Sequence, residues 1–463
     1  MAPKFGTSGL RGLSSELTDD LCATYAAAFL SLQSHSGRLF IGQDKRDSSP
    51  RIAAAVARGA RSEGVEVVDC GVLPTPALAR EAMAEGTVSI MVTGSHIPAN
   101  RNGLKFYTAA GEFTKADEAP LIAEVAARAA PVAEETSAAL HNSAAAEAYV
   151  ARYVEGFPAG VLSGRRVGVW LHSSAAGKVL PEILSGLGAE VVLLGRSETF
   201  VPVDTEAVDA DTRARLAEWV KTERLDAVLS TDGDADRPLL VDDLGRVVPG
   251  DILGPITALW CGAEEVVTTV SANTLVDLME RFGRVARTRI GSPYVISEME
   301  ARAAAGVEKV VGYEPNGGFL LGWDQADRDK QIGSLMTRDA VLPMLATLAA
   351  ATEAGVSISD MLAGFPERRT ATDRLEEIPR ERSLAIVEAI LSGDHTVLPD
   401  GLGDLVSTDT TDGARLSFAS GRVIHIRPSG NAPELRCYVE AESSEAAGRV
   451  LAEALERLRR ATS

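Results

Sequence analysis

The chain has 463 residues, 45% of them hydrophobic and 24% charged, with a formal net charge of -19. That length calls for several domains, and that composition for packed cores rather than disorder. The acidic balance disfavours nucleic acid and anionic membranes as partners, yet a local cluster of Arg and Lys can still hold an anionic small substrate.

The chain opens on "MAPKFGTSGLRG", which has no apolar leader, and no run of about 18 apolar residues follows. A cytoplasmic protein is expected. Cys22, Cys70, Cys261 and Cys437 stand far apart with no CxxC pair, which argues against zinc or a disulfide framework. The apolar runs "RLFIGQD", "VEVVDCGV" and "TVSIMV" then alternate with the helical patterns "PRIAAAVARGARSEG" and "TPALAREAMAEG", an α/β signature. "LPTPALA" reads as a rigid turn with Pro76 near a helix start. An Ala-rich stretch after residue 120 predicts helix plus connector.

The same grammar restarts twice. "RRVGVWL", "GKVLPEILSGLG", "AEVVLLG" and "LDAVLSTD" form one set; "EEVVTTVS", the helix "NTLVDLMERFG" and "EKVVGYE" form another. After about residue 366 the pattern becomes strand, Gly turn, strand in "DGARLSFASGRVIHIRPSG", then "ELRCYVEA" and the amphipathic helix "SSEAAGRVLAEALERLRR". We expect three similar α/β domains with mixed sheets, residues 1–145, 146–250 and 251–365, plus a smaller α+β domain, 366–463. Together they would surround a central cleft.

Four loops carry chemistry. "TGSHIPANRNGLKFY" follows a buried strand and holds Ser95, His96 and Lys105. A Ser hydroxyl becomes a nucleophile when a neighbour activates it, and a Lys can hold a transferred anion. A polar turn before a hairpin explains the same residues, although strand-end loops of α/β sheets are where ligands bind. The loop is expected to expose its Ser-His pair.

In "STDGDADR", Asp232, Asp234 and Asp236 alternate, so an extended loop would aim three hard oxygen ligands at one Mg²⁺. An EF-hand fails, because the sixth position is Arg237 instead of Gly and the twelfth is Asp243 instead of Glu. Arg237 suits a phosphate beside the metal.

"GYEPNGGFLLG" offers Glu314 and Asn316 to sugar hydroxyls, though a plain turn accounts for it equally well. "RPSGNAPELR" offers Arg427, Ser429, Gly430 and Asn431 as an anion nest, against the reading of a Pro-Gly hairpin loop. His35, His141, His172, His395 and His425 show no metal spacing.

With "FGTSGLRG" at residues 5–12, these loops make five motifs in order, and they span nearly the whole chain. In this the sequence resembles the α-D-phosphohexomutase family, most closely its bacterial phosphomannomutase branch. The resemblance implies that Ser95 carries a phosphoryl group and, with Asp232, Asp234 and Asp236, holds Mg²⁺. Arg11, Arg237 and Lys105 would neutralise charge, and His96 or Lys105 would give acid/base help. Glu314, Asn316 and Gly317 would hold the sugar; Arg427, Ser429, Gly430 and Asn431 would hold the phosphate that does not react. The implied reaction interconverts mannose 1-phosphate and mannose 6-phosphate through a hexose 1,6-bisphosphate, which also serves as activator. The implied partners are hexose phosphates, with no nucleic acid and no membrane.

Two departures bear on the sugar. Many members have Ser and His where this chain has Asn316 and Gly318. A basic third-domain residue, often Lys, falls at Arg289, which suits phosphate binding rather than proton transfer. Phosphoglucomutase, dual phosphomannomutase/phosphoglucomutase and phosphoglucosamine mutase stay open as alternatives. So do a Mg²⁺-dependent sugar phosphatase and a catalytically silent phosphosugar-binding protein.

Overall fold

The computed structural model describes residues 3–6, 9–131, 140–326, 330–430 and 433–462. Four sheets follow one another along the chain. In the first, Glu66–Val72, Arg38–Gln43 and Val88–Val92 run parallel, and Arg101–Thr108 turns back beside Val88–Val92. Leu10–Leu13 pairs antiparallel with Arg101–Thr108 from the other side, which brings the start of the chain into the sheet.

The second sheet repeats this plan with Glu190–Arg196, Arg166–His172 and Ala227–Thr231 parallel, then Pro238–Val241 antiparallel. So does the third, with Arg284–Thr288, Glu265–Thr269 and Val310–Tyr313 parallel, then Phe319–Leu321 and Leu335–Asp339 antiparallel. The fourth is wholly antiparallel, in the order Arg369–Leu375, Leu435–Ala441, Val423–Pro428, Ala414–Phe418, Leu405–Asp409.

The third parallel strand of each α/β sheet is its most completely buried. "VSIMV", "AVLST" and "VVGY" are buried at every position, as parallel strands covered on both faces must be. Each then breaks into the polar loop that precedes the antiparallel strand. The Ser, Asp and Glu loops therefore occupy one equivalent place in three copies of one topology. That equivalence bears out the expectation of three similar α/β units.

One helix differs from expectation. The pattern predicts a helix over 273–283, but only Leu275–Leu278 is helical. Glu280 takes a left-handed backbone, φ 49°, and Arg287 draws on the carbonyls of Ala272 and Asn273. These contacts end the helix before amphipathic periodicity can extend it.

A continuous buried cluster joins the first three units, running from Tyr107 through Tyr149 and Tyr153 to Trp260 and Leu345. Within it the hydroxyls of Tyr149 and Tyr153 both donate to Asp339, the first at 2.6 Å. The fourth sheet has its own core under the helix Ser444–Thr462. It meets the third unit through Glu440, which accepts from Thr274 N at 3.1 Å and pairs with Arg368 at 3.2 Å. Among the described residues, no helix is long and apolar enough to cross a membrane.

Candidate active site

The Ser loop is held by Arg46, whose role no motif in the chain marks. Its guanidinium donates to the carbonyls of Ser95 (2.8 Å), Ile97 (2.6 Å), Pro98 (2.6 Å) and Arg101 (2.9 Å). It pairs with buried Asp44 at 3.1 Å and lies 4.0 Å over the Phe200 ring. Asp44 in turn accepts from Ser49 (2.6 Å) and Thr93 (2.8 Å). A Cβ on Gly94 would come within 2.7 Å of Arg46 Cζ, so the close approach requires glycine there.

Ser95 itself is left-handed, φ 53°, an unusual backbone for a non-glycine residue. It is fully buried, contrary to the exposed hydroxyl expected from the sequence. The reason is that Ser95 Oγ donates to Asp232 Oδ2 at 2.5 Å, across the gap between the first and second sheets. His96 Nδ1 lies 3.3 Å from the same hydroxyl. Burial, then Arg237 and Arg11, hold the imidazole far below its usual range, so it is neutral at pH 7.

The Asp loop also differs in how it converges. It is a turn, not an extended segment, with Ala235 at φ 59°. The turn still brings one oxygen from each of Asp232, Asp234 and Asp236 within 4.8 Å of one another, all three residues fully buried. Asp234 Oδ2 takes Lys105 Nζ at 2.5 Å and Thr75 Oγ1 at 2.6 Å. Asp236 Oδ2 takes Lys105 Nζ at 2.6 Å and Arg338 at 2.8 Å.

Among the described residues, Asp234 Oδ1 and Asp236 Oδ1 are buried with no hydrogen-bond partner. Such orphaned carboxylate oxygens call for a ligand, and an all-oxygen donor set fits a hard divalent cation such as Mg²⁺. Burial, then repulsion from Asp234 and Asp236, pushes Asp232 well above the usual carboxylate range. Burial opposes the charge on Asp236 as well, but Arg338, Lys105 and Arg237 outweigh it and hold that carboxyl low.

Arg11, Arg237 and the Glu314 loop adjoin this centre. Arg11 lies on Leu10–Leu13 beside Gly103; burial, then Arg237, lowers it to about 10. Arg237 sits 3.9 Å from Asp236 and 3.8 Å from Glu206. Glu314 and Asn316 are buried. Asn316 Oδ1 accepts from Gly318 N at 2.9 Å and its carbonyl accepts from Thr205 Oγ1 at 3.1 Å, which ties the Glu314 loop to the second unit. Gly317 has φ 86°, and a Cβ there would lie 2.5 Å from Pro238.

Arg427 and Ser429 are buried on the fourth sheet, where Arg427 pairs with Asp412 at 3.2 Å; Gly430 is open. Arg289 is exposed and donates to the Thr411 carbonyl at 3.2 Å, while Ile290 N reaches Asp412 at 3.2 Å. Arg289 thus lies beside the 411–412 turn whose Asp412 pairs with Arg427. Asn431 lies outside the described residues.

Comparison with known proteins gives the family. Models of the phosphoglucomutase/phosphomannomutase family match all four parts: α/β/α domain I at residues 2–132, domain II at 147–245, domain III at 250–368 and the C-terminal domain at 372–457. A phosphomannomutase of Sinorhizobium fredii is 44% identical, with 98% of each chain covered. One from Salmonella muenchen is 41% identical over 95% of this chain and 92% of its own. In shape, a phosphoglucomutase/phosphomannomutase family protein from Burkholderia thailandensis superposes with a TM-score of 0.74 at 20% identity, covering 98% and 97% of the two chains. The chain belongs to the phosphoglucomutase/phosphomannomutase family, and it is an isomerase of the phosphohexomutase type.

Proposed function

We propose that this chain interconverts mannose 1-phosphate and mannose 6-phosphate, with Ser95 carrying the phosphoryl group. One observation carries the proposal. Ser95 Oγ touches Asp232 at 2.5 Å and so sits on the same buried oxygen cluster as Asp234 and Asp236. The choice of mannose rests on the two phosphomannomutases at 44% and 41% identity.

In the first transfer, the bond from phosphorus to Ser95 Oγ breaks as a bond from phosphorus to O6 or O1 of the hexose forms. The sugar hydroxyl gives up its proton and Ser95 Oγ regains one. The resulting 1,6-bisphosphate turns in the cleft and returns its other phosphate to Ser95 by the reverse exchange. Hexose 1,6-bisphosphate added from outside would phosphorylate resting enzyme in the same way. Mg²⁺, held by Asp232, Asp234, Asp236 and a Ser95 phosphate oxygen, would supply charge neutralisation at the transferring group.

The chain's own residues account for the rest. Arg46 holds the Ser95 carbonyl and so fixes where the nucleophile stands. Arg11, Arg237 and Lys105 supply the positive field. His96, held neutral, shares a proton or hydrogen bond with Ser95 Oγ. Glu314 and Asn316 with the backbone at Gly317 face the hexose hydroxyls. Arg427, Ser429, Gly430 and Asn431, with Arg289 beside them, grip the distal phosphate and orient the sugar.

The test is ³¹P NMR of the purified protein with Mg²⁺ and a trace of glucose 1,6-bisphosphate, comparing mannose 1-phosphate, glucose 1-phosphate and glucosamine 1-phosphate. Fastest conversion of mannose 1-phosphate to the 6-phosphate is expected. Inorganic phosphate without any 6-phosphate would make the protein a phosphatase and overturn the proposal.

A further inference from the structure

Arg338 belongs to the last strand of the third sheet, Leu335–Asp339, and is 2% exposed. Its guanidinium bridges two loops of the site: one nitrogen is 2.8 Å from Asp236 Oδ2, another 3.4 Å from Glu314 Oε2. The strand is anchored from the first unit by Glu112, which accepts from Thr337 Oγ1 at 2.8 Å and Ser292 Oγ at 2.6 Å. The stem of Arg338 passes over Gly318. A Cβ on Gly318 would lie 2.9 Å from Arg338 Cδ and Cγ and 3.0 Å from its Cβ. No side chain fits at 318 while Arg338 keeps this path.

Resting on the mutase reading above, we propose that Arg338 is a positioning residue for the hexose site, holding Glu314 in place for the sugar hydroxyls across the gap that Gly318 leaves. A carboxylate accepts hydrogen bonds from two hydroxyls best when both of its oxygens are held in place. A buried carboxylate with no cation beside it gains a proton or swings away. Arginine suits the task because it keeps its charge at any working pH and its planar fork spans two acceptors at once. Position 318, four residues after Glu314, thus contributes no group of its own to the sugar. Its lack of a side chain admits a fixed cation instead.

The test is a double-mutant cycle on Arg338→Met and Glu314→Gln, with Arg338→Lys and Gly318→Ala alongside. Steady-state rates are measured with mannose 1-phosphate, Mg²⁺ and glucose 1,6-bisphosphate, and folding is checked by thermal unfolding. Arg338→Met is expected to raise KM by roughly tenfold or more in the wild-type background, and by less than about threefold when Glu314 is already Gln. Arg338→Lys recovers part of the loss. Gly318→Ala changes no charge, yet it raises KM in the same direction by pushing the stem aside.

Fully multiplicative effects in the cycle would overturn the inference, as would a KM within about twofold of wild type in Arg338→Met. If Arg338→Met does not fold, Arg338→Lys and Gly318→Ala decide, and unchanged KM in both refutes it. The wild-type rate separates the two readings. A wild-type protein that interconverts no hexose phosphate refutes the mutase reading, and this inference with it; an active wild type with an additive cycle refutes this inference alone.

Discussion

Replacing Arg46 with Met tests how Ser95 is held. The substitution keeps the apolar stem and removes the charge and five donors. Asp44 is left as a buried carboxylate without its cation, a loss that costs about 3–5 kcal/mol when one partner of a buried pair is removed. Of the four carbonyls that Arg46 serves, that of Ser95 belongs to a fully buried residue, whereas Ile97, Pro98 and Arg101 are partly or wholly exposed and can turn to water. The net local cost is therefore about 4 kcal/mol, or roughly a thousandfold in the opening equilibrium of the loop. Hydrogen exchange resolved to the peptide over residues 93–101 reads that opening directly, which a whole-chain melt of four units would blur. Protection there should fall by about that factor, and phosphorylation of Ser95 by glucose 1,6-bisphosphate should slow by roughly a hundredfold through misplacement alone. Arg46→Lys restores charge but cannot reach four carbonyls, so it should fall between. Asp44→Asn with Arg46→Met should cost less than Arg46→Met alone, since no lone carboxylate remains. Wild-type protection and a phosphorylation rate within about twofold in Arg46→Met would refute the reasoning.

Three further outcomes are expected. Ser95→Ala should lower mutase flux by orders of magnitude with an unchanged melt, and full activity would remove Ser95 as the phosphoryl carrier. Exchange at residues 427–430 should slow when mannose 1-phosphate saturates the protein, because Arg427 and Ser429 would then hold its phosphate; unchanged exchange counts against that role. His425 gives a pH dependence: burial, then Arg427, lowers it from 6.5 to about 4, with its ring stacked on Tyr438. Below pH 6.5 the unfolded chain binds this proton and the folded one does not, so its contribution is full above 6.5 and is lost as pH falls toward about 4. The shift corresponds to about 3 kcal/mol at its limit. Melts between about pH 7.5 and pH 5 should show the loss, and His425→Gln should flatten it; an equal slope in the variant would assign the effect elsewhere.

The residues that were legible in the sequence are those whose chemistry is packed into one short loop. Ser95 with His96, or the alternation of Asp232, Asp234 and Asp236, needs no partner from elsewhere to look unlike core. What escaped is chemistry assembled from distant strands. Thr75 lies in "LPTPALA", and the structure does start a helix there, Thr75–Ala84. Its hydroxyl nevertheless meets Asp234, 159 positions away. Arg46 sits among ordinary polar residues after a strand, and Arg338 in "TRDAV" reads as a strand end. Nothing local marks either as buried, because a buried arginine is recognisable only once its carboxylates are in place. The burial of Ser95 was missed for the same reason: a loop that would be open on one sheet is closed by the turn of the next.

Charge explains why that closure is tolerated. The chain is acidic as a whole, with a net charge of -19, yet at the site Arg11, Lys105, Arg237 and Arg338 stand against Asp232, Asp234, Asp236 and Glu314. The cations offset the carboxylates that stay ionised, and Lys105 lies across two of them. A phosphoryl group on Ser95 adds a charge of about -1.5 to -2 to this balanced set. The Oδ1 atoms of Asp234 and Asp236, without a hydrogen-bond partner among the described residues, are where a divalent cation would offset that added charge. Phosphorylation and metal binding should therefore reinforce each other. Phosphorylated protein should hold Mg²⁺ more tightly than Ser95→Ala protein by at least roughly tenfold, as coupled ligands of opposite charge do. Calorimetric titration of the two forms with Mg²⁺ measures the ratio, and equal affinities would mean that the positive residues alone carry the phosphoryl charge.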